Sequence, residues 1–123
     1  MIYIVHNAVP ILLAGLAGTV LLLARWRSLL APASLAATFA ATSWLAAILA
    51  GALILAPVEA GRWTVALGSA AIIWVGFVLP SIMVTMRARG AGWGAALADA
   101  GLWLAVMLVQ AALLRLVGVS GPG

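Results

Sequence analysis

The chain has no cysteine and no lysine, one histidine, one tyrosine and only two acidic residues, Glu59 and Asp99, in 123 positions. Without cysteine there is no disulfide, no thiol redox chemistry and no thiolate metal site. A lone imidazole and two carboxylates far apart in sequence make no acid pair, no Ser-His-Asp set and no metal-ligand cluster, and no glycine-rich phosphate loop is present. No catalytic residue and no metal ligand are therefore expected, and the chain reads as a non-enzyme. The six basic residues, all arginine, give a formal net charge of +4. They are spread over short breaks and helix ends, not gathered on the basic face that nucleic acid requires. The absence of lysine beside a wealth of alanine is the residue usage of a GC-rich genome, and a bacterial source is expected.

What remains is hydrocarbon. Hydrophobic residues make up 67% of the chain and the mean hydropathy is +1.31. A soluble domain of this size has too little interior to hide so much apolar surface. Four apolar stretches are separated by three breaks, Arg25-Trp26-Arg27-Ser28, Pro57-Val58-Glu59-Ala60-Gly61-Arg62-Trp63 and Arg87-Ala88-Arg89-Gly90-Ala91-Gly92-Trp93. A bilayer core about 30 Å thick is crossed by about 20 apolar residues in helix. Backbone groups in lipid must be paired internally, by helices or a closed barrel. Barrel strands alternate apolar and polar residues, whereas these runs are apolar all round. The expectation is an all-α, integral membrane four-helix bundle forming one domain. Its helices are expected over residues 4–24, 33–56, 64–86 and 94–117, with a flexible tail at 118–123. Ala31-Pro32-Ala33 faintly resembles a signal-peptidase site, but the arginines follow the first apolar run instead of preceding it, so that run reads as a retained span.

Four spans place the first and third loops on one side. That side carries Arg25, Arg27, Arg87 and Arg89, against Arg62, Arg115 and Glu59 on the other. The positive-inside rule sets the four-arginine side in the cytoplasm and both termini outside. Trp26, Trp63 and Trp93 stand in or beside the breaks, as interfacial anchors do. Trp44, Trp74 and Trp103 fall inside spans.

Asp99 is the only acidic residue within an expected span. A carboxylate at a helix centre costs about 2.5–3.5 kcal/mol on insertion scales. Asp99 lies only about 6–9 Å along the fourth helix, where the cost is lower. It reads either as a proton or cation site, or as a carboxylate near a helix N-terminus paired with Arg87 or Arg89; the second arrangement is the more frequent. Gln110 follows eleven residues later, three helical turns, so Asp99, Trp103, Val106 and Gln110 form one stripe. Such a stripe lines a path or, more often, bonds neighbouring helices at about 1 kcal/mol or less per bond. Pro80 lies inside the third span, removes a donor and frees the Gly76 carbonyl. Trp74, Ser81 and Thr85 share a helical face there. A kinked helix with freed carbonyls can coordinate an ion, although a plain kink re-satisfied by neighbours is commoner. Asp99, Gln110, Ser81 and Thr85 are thus the candidate intramembrane polar site, with Gly76 and Pro80 as its kink. Pro10 is expected to bend the start of the first helix. His6, the only histidine, reads first as an interfacial residue and second as a metal or pigment ligand. Gly15, Gly18, Ala47, Gly51, Gly68 and Gly76 offer small-residue surfaces for close helix contact, within the chain or between copies.

The run Trp74-Val75-Gly76-Phe77-Val78-Leu79-Pro80, the basic loop with Trp93, and Ala98-Asp99-Ala100-Gly101-Leu102-Trp103-Leu104 together resemble the domain-of-unknown-function family 1761. These are small bacterial membrane proteins with about four helices. The resemblance covers residues 68–116. It departs at Leu102, where the family has an aromatic residue, and in the first loop, where Ala24-Arg25-Trp26-Arg27 replaces a Trp-Tyr-Ser-Pro-like turn. It implies the architecture and no reaction.

These features lead to the expectation of a multi-pass protein of the bacterial cytoplasmic membrane. It would work through helix contacts in the lipid bilayer, as a homo-oligomer or as an accessory subunit of a larger membrane complex. A small transporter or channel for protons, cations or a small solute, using Asp99, is the alternative. No cofactor is expected, although the intramembrane tryptophans could wall a bound lipid, quinone or pigment.

Overall fold

The first apolar stretch folds as two helices, α1 (Ile2–His6) and α2 (Ala8–Arg25), interrupted at Asn7. Pro10 is the physical reason. It has no N–H to give the carbonyl of His6, four residues back, and its ring crowds that carbonyl. The helix loosens one turn before the proline, and Asn7 takes φ −113° and ψ 28°. The Asn7 side chain, only 3% exposed, donates at 2.9 Å to the Tyr3 carbonyl, which also accepts from the Asn7 backbone N–H. The expected bend is therefore present, but it falls at Asn7 and not at the proline.

A computed structural model describes residues 2–55 and 61–118, and of Arg62 the backbone alone. All regular structure in these residues is helical. After Trp26 a short 3₁₀ turn (Arg27–Leu30) leads into α3 (Pro32–Leu55), and α4 (Arg62–Ile73) follows Gly61. A π-helical segment (Trp74–Val78) joins α4 to α5 (Leu79–Ala88), and α6 (Trp93–Val117) closes the chain. Gly90 turns the α5–α6 loop at φ 85°, and Gly118 ends α6 at φ 95°, left-handed conformations that glycine adopts without strain. Four helical stretches, Ala8–Arg25, Pro32–Leu55, Trp63–Ala88 and Trp93–Val117, are long and apolar enough to cross a membrane. These bounds differ from the expected ones by only a few residues. Residue 56, at the expected end of the second span, and tail residues 119–123 lie outside the described residues, as does Glu59.

The core lies chiefly between α2, α3 and α6, where Ile11, Ala14, Ala46, Leu49, Ala50, Leu53, Met107, Ala111 and Leu114 are buried, and Ala66 and Ala70 of α4 join it. Alanine and glycine allow the close approach that van der Waals packing and interhelical hydrogen bonds need. Alanine is not uniformly inward, however. Ala46, Ala47 and Ala50 of α3 are buried, while Ala36, Ala37, Ala40 and Ala41 in its first half face outward. The third span packs chiefly on α6. In its most apolar 18-residue stretch 6% of residues are buried, against 33% in each of the other three, so it joins the core at the edge of the bundle, chiefly through Ala66 and Ala70.

Candidate functional site

The polar residues of the spans fall into two separate places. The first is a buried node between α2, α3 and α6. The Gln110 side chain is fully buried there, and its Nε2 donates to the carbonyls of Ala14 at 3.0 Å and Thr42 at 2.9 Å. Thr19 Oγ1 donates to the Gly15 carbonyl at 2.8 Å and lies 3.0 Å from Thr42 Oγ1. The single hydroxyl hydrogen of Thr42 has the Gly15 carbonyl at 2.9 Å and the Thr38 carbonyl at 3.0 Å within reach. Glycine makes the node fit. A Cβ on Gly18 would stand 2.8 Å from Gln110 Nε2, and one on Gly15 would overlap Ser43 Oγ and come 2.9 Å from Ser43 Cα. The node leaves Gln110 Oε1 and Ser43 Oγ buried without a hydrogen-bond partner.

The second place is a groove of about 310 Å³ at the end of the bundle that bears the first and third loops. It is lined by Ser81, Ile82, Thr85 and Met86 from α5, Asp99 and Trp103 from α6, and Trp26 at the end of α2. The spacing explains the lining. Ser81 and Thr85 are four residues apart, as are Asp99 and Trp103, so each pair stands on one helical face. Trp26 reaches the same groove because the first and third loops share an end of the bundle, and Arg25, Arg27, Arg87 and Arg89 are exposed at that end. Trp26, expected as an interfacial anchor, is half-buried and walls the groove, while Trp63 and Trp93 are 46% and 59% exposed.

Of the four expected site residues, Asp99, Ser81 and Thr85 come together and Gln110 does not. Asp99 and Gln110 do share a helical face, but eleven residues of α6 separate them by about 16 Å along the axis. At the depth of Gln110 the face is sealed against α2 and α3. At the depth of Asp99, α2 has ended and the groove opens. Nor does an arginine neutralise Asp99 among the described residues. Arg87 turns the other way, donating to the Ala91 carbonyl at 3.1 Å and standing 4.5 Å over the Trp93 ring.

The helix is irregular ahead of Pro80, over Trp74–Val78, a segment that contains Gly76. The backbone takes in one extra residue ahead of Pro80, and Leu79 N–H donates to the Trp74 carbonyl five residues back. A π-bulge of this kind relieves the clash between the proline ring and the preceding turn. It also rotates Trp74 off the face of Ser81 and Thr85. Trp74 is outside the groove, and its Nε1 donates to the Ala100 carbonyl at 2.7 Å, pinning the third span to α6. Ser81 Oγ donates to the Phe77 carbonyl at 2.6 Å. Gly76 lies exposed, and a Cβ there would meet nothing within 4 Å.

The small residues named from sequence divide the same way. Gly15, Gly18, Ala47 and Gly51 are used inside the chain, Gly51 against Tyr3, whereas Gly68 and Gly76 are open. A further open set was not anticipated. Gly94, Ala98, Gly101 and Ala105 of α6 are exposed and stand on the side away from its core face. Thr19, Thr42 and Ser43, which build the buried node, were likewise not singled out; their signal was hydroxyl residues in otherwise apolar spans, Thr19 beside Gly18. His6 is exposed, and no group of three metal-ligating side chains occurs among the described residues.

The fold and the two polar sites define an all-helical chain with four apolar helices of membrane-spanning length. No protein-family model, curated protein or solved structure matches it.

Proposed function

We propose that this chain is a non-enzymatic protein of the bacterial cytoplasmic membrane that works by assembling laterally, with copies of itself or as an accessory subunit of a larger complex. The observation that carries this reading is an unfinished outer surface. The third span is almost unburied, and the outward face of α6 presents Gly94, Ala98, Gly101 and Ala105. Small residues grip lipid poorly but let another helix approach to backbone contact. Interior positions of the same chain show the habit, since Gly15 and Gly18 bring α2 against α3 and α6. The family 1761 resemblance agrees with a small membrane helix protein and adds no chemistry. The arginine balance supports the first and third loops in the cytoplasm and both termini outside. The test is particle mass and composition after extraction in native lipid. A lone monomer would refute the proposal.

A second reading has its own observation. Asp99, Ser81 and Thr85 line one groove, a polar site on the wall of a membrane protein, as a small transporter of protons, cations or a small solute would need. Flux in proteoliposomes with Asp99→Asn tests it, and unchanged flux would remove Asp99 from any transport step.

A further inference from the structure

We infer that the groove at Asp99 binds the primary ammonium headgroup of a membrane amphiphile, an aminophospholipid of the surrounding bilayer. The inference shares the site of the second reading but not its transport step.

The groove offers a carboxylate that no arginine of the described residues neutralises, and an intramembrane carboxylate calls for a cation. It offers two hydroxyls beside it, on Ser81 and Thr85. Ser81 already gives its hydrogen to the Phe77 carbonyl, so its oxygen faces any ligand as an acceptor only. An ammonium has three N–H donors and no acceptor, and the groove supplies three oxygen-bearing side chains. A quaternary ammonium has no N–H and matches only the charge. The remaining lining is apolar or aromatic, Ile82, Met86, Trp26 and Trp103, suited to an acyl chain and to the face of a cation.

The surroundings favour a lipid over a free amine. The groove opens on the outer wall of the bundle, so it is reached from the bilayer. Arg25 and Arg27 flank Trp26 in sequence, and both are exposed at that end. Arginine suits phosphate. An aminophospholipid carries both charges in that order, ammonium inward to Asp99 and phosphate outward to the rim. A simple cation meets the arginines as repulsion.

The test is native mass spectrometry of the full chain exchanged into equal amounts of phosphatidylethanolamine and phosphatidylcholine with matched acyl chains. Phosphatidylethanolamine should be retained about tenfold over phosphatidylcholine, the value of one charge-assisted hydrogen bond set. Asp99→Asn, which keeps the shape, should erase the preference. Thr85→Val should lower it with Asp99 in place, a second variant that separates recognition from folding. Equal retention of both lipids by the wild-type chain, or a preference that survives Asp99→Asn, overturns the inference. A second arm uses dodecylamine. Displacement of phosphatidylethanolamine by dodecylamine but not by dodecyltrimethylammonium supports the ammonium site. Asp99-dependent retention of dodecylamine with no lipid preference overturns the lipid assignment. Lipid preference without flux in proteoliposomes retires the transport reading alone.

Discussion

Gly15→Ala should be the most damaging single methyl that can be added to this protein. The new Cβ would overlap Ser43 Oγ and stand 2.9 Å from Ser43 Cα. The hydroxyl can swing away, but the Cα is backbone, so α2 and α3 must separate. Separation also stretches the 2.9 Å bond from Thr42 Oγ1 to the Gly15 carbonyl. Overpacking of a tight interior costs about 1–3 kcal/mol, and a value near 2 lowers the folding equilibrium constant about thirtyfold. Gly76→Ala is the matched control, because its Cβ meets nothing within 4 Å and alanine is the better helix former. The assay is reversible unfolding of the detergent-solubilised chain by dodecyl sulfate, followed by circular dichroism. Gly15→Ala should unfold at clearly lower dodecyl sulfate fraction, Gly76→Ala at the wild-type fraction or above. Ser43→Gly on the Gly15→Ala background removes the overlapping atoms and should restore part of the loss. If Gly15→Ala and Gly76→Ala unfold together, the close α2–α3 contact described above is wrong.

Gln110→Glu should destabilise more than Gln110→Met in the same assay. Methionine loses two interhelical bonds, about 0.6 kcal/mol each, whereas an ionised glutamate sets a buried acceptor against the Ala14 and Thr42 carbonyls and a protonated one has a single O–H for both; equal effects would contradict the donor role of Nε2. Trp74→Phe should cost about 1 kcal/mol and loosen the third span from α6 through loss of the bond to the Ala100 carbonyl, read as faster amide exchange over α4 and α5 than over α2. The native chain has no cysteine, so single cysteines report topology cleanly. In intact cells Thr64→Cys should react with a membrane-impermeant maleimide and Ser28→Cys should not, and the reverse pattern would invert the orientation.

The four spans were legible because hydrophobicity and the need to pair backbone in lipid act on whole segments, and helix ends follow from Gly, Pro and Arg at the breaks. What the sequence hid was pairing in depth and rotation. Asp99 and Gln110 share a face by simple periodicity, yet periodicity says nothing of where α2 stops. The extra residue in the π segment turned Trp74 away from Ser81, and a proline announces a kink without saying how the chain absorbs it. The polar node was hidden because Thr19 and Thr42 are ordinary residues until Gly15 and Gly18 bring their helices together. Open and occupied glycines looked alike in sequence, and only packing separates Gly15 from Gly76.

Assembly is tested most directly by extracting the chain from its native membrane into lipid nanodiscs without detergent and determining particle mass and composition together. The expected result is a particle holding several copies of the 12.5 kDa chain, or one copy with a stoichiometric partner. A particle containing a single copy and no other protein would contradict the proposal and leave the Asp99 groove as the chain's remaining candidate for function.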